Sequence, residues 1–218
     1  LKRMWRESSR LTAAYRSAAR IIGILMEGSG VAFEKGGATP NIPGFLFDMN
    51  RFFQSLLFRF LSENLPGQKV YDEHRLKGMM SYLPGYNPKK RRSPDPRPDF
   101  FIENDRGNVA ILDAKYRDLW EHSLPRDMLY QLSIYALSQK GRGQATILYP
   151  TTSSDAREAR ISISEPCKGI KMGEVIVRPV ILQYLHSLVS SPNTMKNKRE
   201  RIRYAEKLAF GKNNGEIY

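Results

Sequence analysis

The apolar run Val109–Leu112 constrains the fold most, because it leads directly into Asp113, Ala114 and Lys115. Consecutive apolar residues on a strand put hydrophobic side chains on both of its faces. This pattern is typical of a central strand that helices cover on both sides. Two charged side chains then follow at the end of a segment that has to be buried. The run therefore predicts an α/β fold with a polar site at the end of its central strand.

A second strand is predicted just upstream, beginning at Asp99, and turn-forming residues at 105–107 separate it from the first. A hairpin centred on that turn brings Asp99 beside Asp113 and Ala114. Since side chains two residues apart on a strand share a face, Asp113 and Lys115 point the same way. The sequence thus predicts that two carboxylates and one ammonium group converge.

Helices and strands are predicted around this hairpin in the order helix, hairpin, helix, strand. Apolar residues recur at helical steps from Phe45 to Leu61, Pro125 opens a second helix, and Ala145 to Tyr149 forms a strand. A strand that returns after a helix is usually parallel to its neighbour, so a mixed sheet is expected. The remaining predictions are strands at Lys69 to Arg75 and Met79 to Tyr86, edge strands at Arg160 to Ser164 and Glu174 to Val177, and helices at Pro179 to Val189 and Asn193 to Ala209.

Three regions are predicted along the chain. Residues 1–44 are predicted to form a helical arm and linker, with an amphipathic helix from Trp5 to Met26. The main domain is expected at residues 45–190, and a basic helix and tail at residues 191–218. Because Leu1 stands inside the helical pattern, we expect an upstream part of the protein.

The charge balance predicts a polyanionic partner. Lysine and arginine number 35 against 22 acids, a net charge of +13, which favours DNA. The predicted DNA contacts are Lys89, Lys90, Arg91, Arg92 and Arg97. No apolar run approaches the ~20 residues that a membrane helix needs, so no membrane association is expected.

Cysteine and histidine offer little chemistry. Cys167 is the only cysteine, which excludes an intramolecular disulfide and a cysteine-based zinc site and fits the cytoplasm. His74, His122 and His186 are scattered without the spacing of metal ligands. The candidate chemistry therefore rests on carboxylates.

Two acids at the end of a buried strand repel each other unless a cation neutralises them. Mg²⁺, or Mn²⁺, prefers oxygen ligands, which Asp99, Asp113 and the backbone carbonyl of Ala114 offer together with water and a substrate phosphate. Lys115 would hold the attacking water and offset charge in the transition state. An Asp-x-Lys triplet alone is usually an exposed ion pair, so it is the surroundings that favour phosphodiester hydrolysis.

These residues resemble the PD-(D/E)XK nuclease superfamily, with Pro98 and Asp99 as the first element and residues 113–115 as the second. The resemblance implies a core of helix, three-stranded meander, helix and strand, which is the order predicted above. Gln131 and Tyr135 resemble the QxxxY motif of RecB-type members. Residues four apart share a helix face, so both would support the site.

A narrower resemblance is to the McrC family of McrBC modification-dependent restriction systems. It is carried by Phe47, Asp48, Met49, Asn50 and Phe53, and by Asp113 to Tyr116. It implies a DNA-cleaving subunit that works with a McrB-like AAA+ GTPase, and this chain shows no phosphate-binding loop of its own. Where the family usually has a glutamate, this chain has Gln54. Asp48 is a weak substitute as metal ligand, because it could equally cap the helix.

Two alternatives remain open at this level. A stand-alone RecB-like nuclease would cleave DNA without a GTPase partner. A catalytically silent nucleic-acid-binding protein would keep the nuclease fold, since fold does not fix function, and Gln54 in place of an acid favours it.

Overall fold

The computed structural model describes residues 48–104, 109–139, 143–192 and 194–211. The helices are α1 (Met49–Asn64), α2 (Arg126–Leu137), α3 (Leu182–Ser190) and α4 (Met195–Phe210), and the strands are β1 (Gln68–Asp72), β2 (Phe100–Asn104), β3 (Val109–Ala114), β4 (Gly143–Thr151), β5 (Ala159–Ser164) and β6 (Lys171–Ile181). The predicted arm at 1–44 and the hairpin turn lie outside the described residues. None of the described helices is long and apolar enough to cross a bilayer.

In the described part of the chain, the strands form a six-stranded sheet in the order β1-β2-β3-β4-β6-β5. The β1–β2, β2–β3 and β5–β6 pairs are antiparallel, whereas β3–β4 and β4–β6 are parallel. The predicted α/β fold with a mixed sheet is therefore confirmed.

Two strand predictions near the ends of the sheet were wrong. No strand forms at residues 79–86, which contain bends and turns. β6 is an interior strand between β4 and β5, where an edge strand was predicted. It extends to Ile181, so the helix predicted from Pro179 begins only at Leu182, because Pro179 to Ile181 still pair with β4. The buried Arg178 within β6 is neutralised by Glu158 at 2.5 Å.

Both faces of the sheet are covered by buried apolar side chains. On one face Phe100 and Leu112 pack with α1, α3 and α4. On the other, Ile111 packs with Leu132 and Ala136 of α2. Successive residues of β3 thus enter different clusters, which confirms the prediction of a central strand buried on both sides.

Helix α2 lies unusually close to the sheet where β4 begins. A Cβ atom on Gly143 would lie 2.0 Å from the carbonyl oxygen of Ala136. A Cβ atom on Gly173 of the neighbouring β6 would lie 3.4 Å from the Cβ of Ala136. Two glycines therefore set the depth at which α2 packs.

This close approach gives a stability prediction. We expect Gly143→Ala to destabilise the protein by roughly 1–3 kcal/mol or more, because the added methyl group meets backbone that cannot move aside. Thermal unfolding should show a Tm lower by several degrees. Ser162→Ala on the exposed edge strand is the matched control and should leave Tm unchanged. Equal Tm values for both variants would contradict the packing described here.

Candidate active site

Asp99 and Asp113 lie side by side where β2 and β3 separate. The backbone N–H of Asp99 donates to Oδ1 of Asp113 at 3.0 Å, and the N–H of Ala114 donates to Oδ2 of Asp99 at 2.7 Å. The register pairs Phe100 with Leu112, which puts Asp99 opposite Asp113. The two carboxylates are therefore held by reciprocal hydrogen bonds, in the arrangement that the hairpin predicted.

Helix α2 contributes the two polar residues of the predicted QxxxY motif. Nε2 of Gln131 donates to Oδ2 of Asp113 at 3.1 Å and to the hydroxyl of Tyr135 at 2.9 Å. The structure thus brings Gln131 into direct contact with the acid pair. Tyr135 is connected to Asp113 through Gln131.

Lys115 follows β3 and shares the face of Asp113. Its backbone N–H donates to the carbonyl oxygen of Leu148 at 3.0 Å, which continues the pairing with β4. The side chain is partly exposed, and its charge lowers the pKa of both carboxyls. The three predicted catalytic groups therefore converge on the α2 face of the sheet.

Burial dominates the electrostatics of the acid pair. The side chain of Asp113 belongs to a residue only 5% exposed, and desolvation followed by the charge of Asp99 raises its pKa to about 7. Desolvation also raises the pKa of Asp99, and the Ala114 N–H opposes this increase. Without a cation, the pair binds a proton more readily than free aspartates do.

Two further acids lie near Asp99 and were not among the predicted site residues. Asp72 ends β1, and Glu73, whose N–H donates to the carbonyl oxygen of Asp99, follows it. Both charges raise the pKa of Asp99. Nε2 of Gln54 on α1 donates to Oδ1 of Asp72 at 3.3 Å, so Gln54 contacts this additional acid. Asp72 and Glu73 could have been predicted as site residues only from the pairing register of β1 with β2, which the sequence alone does not give.

Helix α1 is attached to the end of β3. Oδ1 of Asn50 accepts from the backbone N–H of Tyr116 at 3.2 Å, and Phe53 packs edge-on against the Tyr116 ring. Asp48 caps the helix by accepting from the N–H of Arg51 at 3.1 Å. The structure thus shows the capping use of Asp48, and no contact in the described residues connects it with the acid pair.

The predicted DNA-binding residues fall into two groups. Arg92 pairs with Asp95 at 2.9 Å, and Arg97 pairs with Glu73 at 3.3 Å. By contrast Lys89, Lys90 and Arg91 are exposed, and none of them forms an ion pair with the described residues. DNA contact by any of them stays a prediction.

The family of the chain follows from comparison with known proteins. A sequence model described as McrBC 5-methylcytosine restriction system component matches residues 4–150. The chain belongs to the McrBC family. No curated protein matches it.

Among solved structures, this McrBC family member is similar to a chain in a refined half-complex from the tetradecameric assembly of Thermococcus gammatolerans McrB AAA+ hexamers with bound McrC. The identity is 22% and the TM-score is 0.46, over 74% of this chain and 34% of the solved chain. The chain thus spans about a third of the length of that solved chain.

The donor set at the acid pair fits a hard divalent cation of the kind predicted. Asp99 and Asp113 offer carboxylate oxygens, and Oδ1 of Asp99 accepts no hydrogen bond from the described residues. Within those residues, no group of three or more His, Cys, Asp or Glu side chains is arranged to hold a metal ion. Mg²⁺ would therefore depend on two carboxylates, backbone oxygen and water, which suits an ion that keeps several waters.

The raised pKa of Asp113 gives a prediction for the metal-free McrBC chain. A carboxyl whose pKa is higher folded than unfolded stabilises the fold below the unfolded pKa, and this contribution is lost as pH rises toward 7. We expect Asp113→Asn, measured in EDTA, to raise Tm relative to the parent at pH 8 by roughly 3–8 °C.

The difference in Tm should shrink as the pH is lowered toward 4, because folded Asp113 is then protonated and the cost of burying its charge is largely removed. Asp155→Asn changes an exposed acid and is the control, with no expected effect on Tm at either pH. A constant difference across this range would show that burial of the Asp113 charge is not the cause.

Proposed function

We propose that this chain is the DNA-cleaving subunit of a modification-dependent restriction system, with the PD-(D/E)XK nuclease fold. The observation that carries the proposal is the convergence of Asp99, Asp113 and Lys115 on one face of the sheet, with Gln131 donating to Asp113. Family membership supports a role in restriction. The proposed reaction is hydrolysis of a DNA phosphodiester bond.

Asp99, Asp113 and the Ala114 carbonyl are the proposed ligands of Mg²⁺ or Mn²⁺. When bound, the ion would supply Lewis-acid polarisation of the scissile phosphate and lower the pKa of a bound water. The charge of Lys115 lowers the pKa of both carboxyls, and in the proposed reaction its ammonium group would orient the attacking water. The same charge offsets the negative charge that develops on phosphate oxygens in the transition state.

Gln131 and Tyr135 hold the acid pair in position. The Gln131 amide donates one hydrogen bond to Asp113 and one to the Tyr135 hydroxyl, and Tyr135 is 2% exposed. Because the tyrosine ring is fixed in the core, it limits the rotation of the amide. The Asp113 carboxylate is therefore preorganised, which avoids the cost of ordering it during the reaction.

The proposed partner is a McrB-like AAA+ GTPase. The chain's resemblance to McrC and its membership of the McrBC family support this pairing. Recognition of the modified base and DNA translocation would then belong to the partner, and cleavage to this chain. A stand-alone nuclease is the competing arrangement, and the requirement for the partner distinguishes the two.

Substitution of the acid pair and the lysine tests the cleavage role. We expect Asp113→Asn to abolish cleavage of plasmid DNA carrying 5-methylcytosine, in the presence of Mg²⁺, GTP and the GTPase subunit. Lys115→Ala should lower the rate by roughly 100- to 1,000-fold, the usual cost of removing one preorganised stabilising group. DNA binding, measured by fluorescence anisotropy, should remain largely intact in both.

Asp155→Asn is the matched control and should cleave at the parent rate. Cleavage by Asp113→Asn at the parent rate would refute the proposed site. A parent chain that cleaves no DNA under any partner condition would favour the silent binding protein, and one that cleaves unmodified DNA with Mg²⁺ alone would favour the stand-alone nuclease.

The basic loop at residues 89–92 gives a separate prediction. Replacing both Lys89 and Lys90 with glutamine should weaken DNA binding and reduce the slope of log K against log salt by about two, because each phosphate contact releases counterions. The matched variant Arg92→Gln should change the slope less, since Arg92 is already paired with Asp95. Equal slopes for the parent and the double variant would exclude the loop from the interface.

A further inference from the structure

A cleft of about 1370 Å³ opens beside the acid pair and has no part in the function described above. One wall is the segment from Val70 to Met79, and the other includes Ser138 and Gln139 at the end of α2. The floor includes Phe101 and Ile111, which belong to the α2 face of the sheet. The cleft therefore lies on the same face as Asp99 and Asp113.

Three aromatic rings line the cleft as one group. The His74 ring stacks on Phe101 with centroids 4.8 Å apart and planes inclined by 28°, and Tyr71 lies against both, at 5.3 Å from His74 and 6.2 Å from Phe101. Glu73 has a left-handed backbone, with φ of 47°, which interrupts the strand alternation before His74. The His74 ring therefore lies on the face of the sheet that carries Tyr71 and Phe101, and not on the face that carries Val70.

Charges are distributed unevenly around these rings. Arg75 and Lys77 are exposed cations on the wall of the cleft, and neither forms an ion pair within the described residues. Asp72 and Glu73 line the end nearest Asp99. The cleft thus combines aromatic surface, cations along one wall and an acidic end that adjoins the proposed metal site.

The spacing along β2 relates the rings to the reaction centre. Phe101 is two residues from Asp99 on the same face, a distance of ~7 Å along a strand. A nucleoside attached to a phosphate at Asp99 is of comparable size. The nearest aromatic surface therefore lies within reach of the nucleotide that adjoins the scissile bond.

We propose that this cleft binds an unpaired nucleotide of the substrate, with its base stacked against the rings of His74 and Tyr71 and its phosphates facing Arg75 and Lys77. The proposal rests on the proposed function for the identity of the ligand. A base next to the cut would leave the duplex and enter the cleft.

An unpaired nucleotide fits these features better than either alternative. Paired bases present only their edges in the grooves, so a duplex could not reach rings at the floor of a concave cleft. A bound polypeptide would satisfy the apolar floor but gives no reason for exposed cations along the wall. Stacking on aromatic side chains beside cations is how proteins commonly hold single-stranded nucleic acid.

The test uses a short single-stranded DNA that carries 2-aminopurine, whose fluorescence falls when the base stacks. The full chain is titrated with Ca²⁺ in place of Mg²⁺, because Ca²⁺ takes the same oxygen ligands. His74→Ala should lose the quenching and weaken binding by about 5- to 100-fold, the usual effect of removing one stacking ring. His74→Phe should restore most of both, because it retains a ring.

His186→Ala, an exposed histidine on α3, is the matched control and should bind and quench as the parent does. The proposal fails if His74→Ala behaves like this control, or if His74→Phe behaves like His74→Ala. If His74→Ala lowers Tm, a second variant tests the cleft, in which the photoreactive residue p-benzoylphenylalanine replaces Lys77. Cross-linking to the oligonucleotide supports the proposal, and cross-linking only to polypeptide overturns it.

Asp113→Asn separates this proposal from the proposed function. If that variant loses cleavage and keeps the quenching, both stand. Quenching that depends on His74 in a parent chain that never cleaves DNA would refute the nuclease and leave the base-binding cleft. Cleavage without quenching would refute the cleft alone.

Discussion

The fold places two carboxylates where neither is well solvated, and the reciprocal hydrogen bonds between Asp99 and the end of β3 keep them there. Each backbone N–H satisfies one carboxylate oxygen, but neither supplies the positive charge that the pair lacks. Burial and mutual repulsion therefore raise the pKa of Asp113 to about 7. A divalent cation would remove this penalty. Binding of the ion would therefore stabilise the fold, because it relieves the repulsion that destabilises the metal-free chain.

Such an arrangement requires a rigid support, and the packing on both faces of the sheet provides it. The glycines at 143 and 173 let α2 approach closely, which brings Gln131 to the Asp113 carboxylate. On the opposite face, α1 holds Tyr116, the residue after Lys115, because Asn50 accepts a hydrogen bond from the Tyr116 backbone N–H. The site is thus fixed by helices on both sides of one strand, and its geometry depends on core packing.

The acid pair could be predicted from the sequence because its information is local. A short turn, an apolar run and the two-residue alternation of β3 were enough to place Asp99 beside Asp113. The neighbouring acids and the aromatic group depend on how β1 pairs with β2 and on the left-handed backbone at Glu73, and neither has a local signature. The end of β6 was missed for a related reason, because a proline after a strand is typical of a helix start and only the pairing with β4 shows that Pro179 continues the strand.

The pairing of β1 with β2 also explains how a strongly basic chain keeps a cluster of acids at one edge of its sheet. The net charge of +13 would attract a polyanion such as DNA at a distance, whereas Asp72, Glu73 and the acid pair would repel its phosphates at the edge of the sheet. Glu73 also engages Arg97, so part of the nearby positive charge is already neutralised. Close approach of a substrate phosphate to Asp99 would therefore require a bound cation. In the proposed nuclease, loosely held DNA would therefore meet a competent site only when the metal is present, which would separate DNA binding from cleavage.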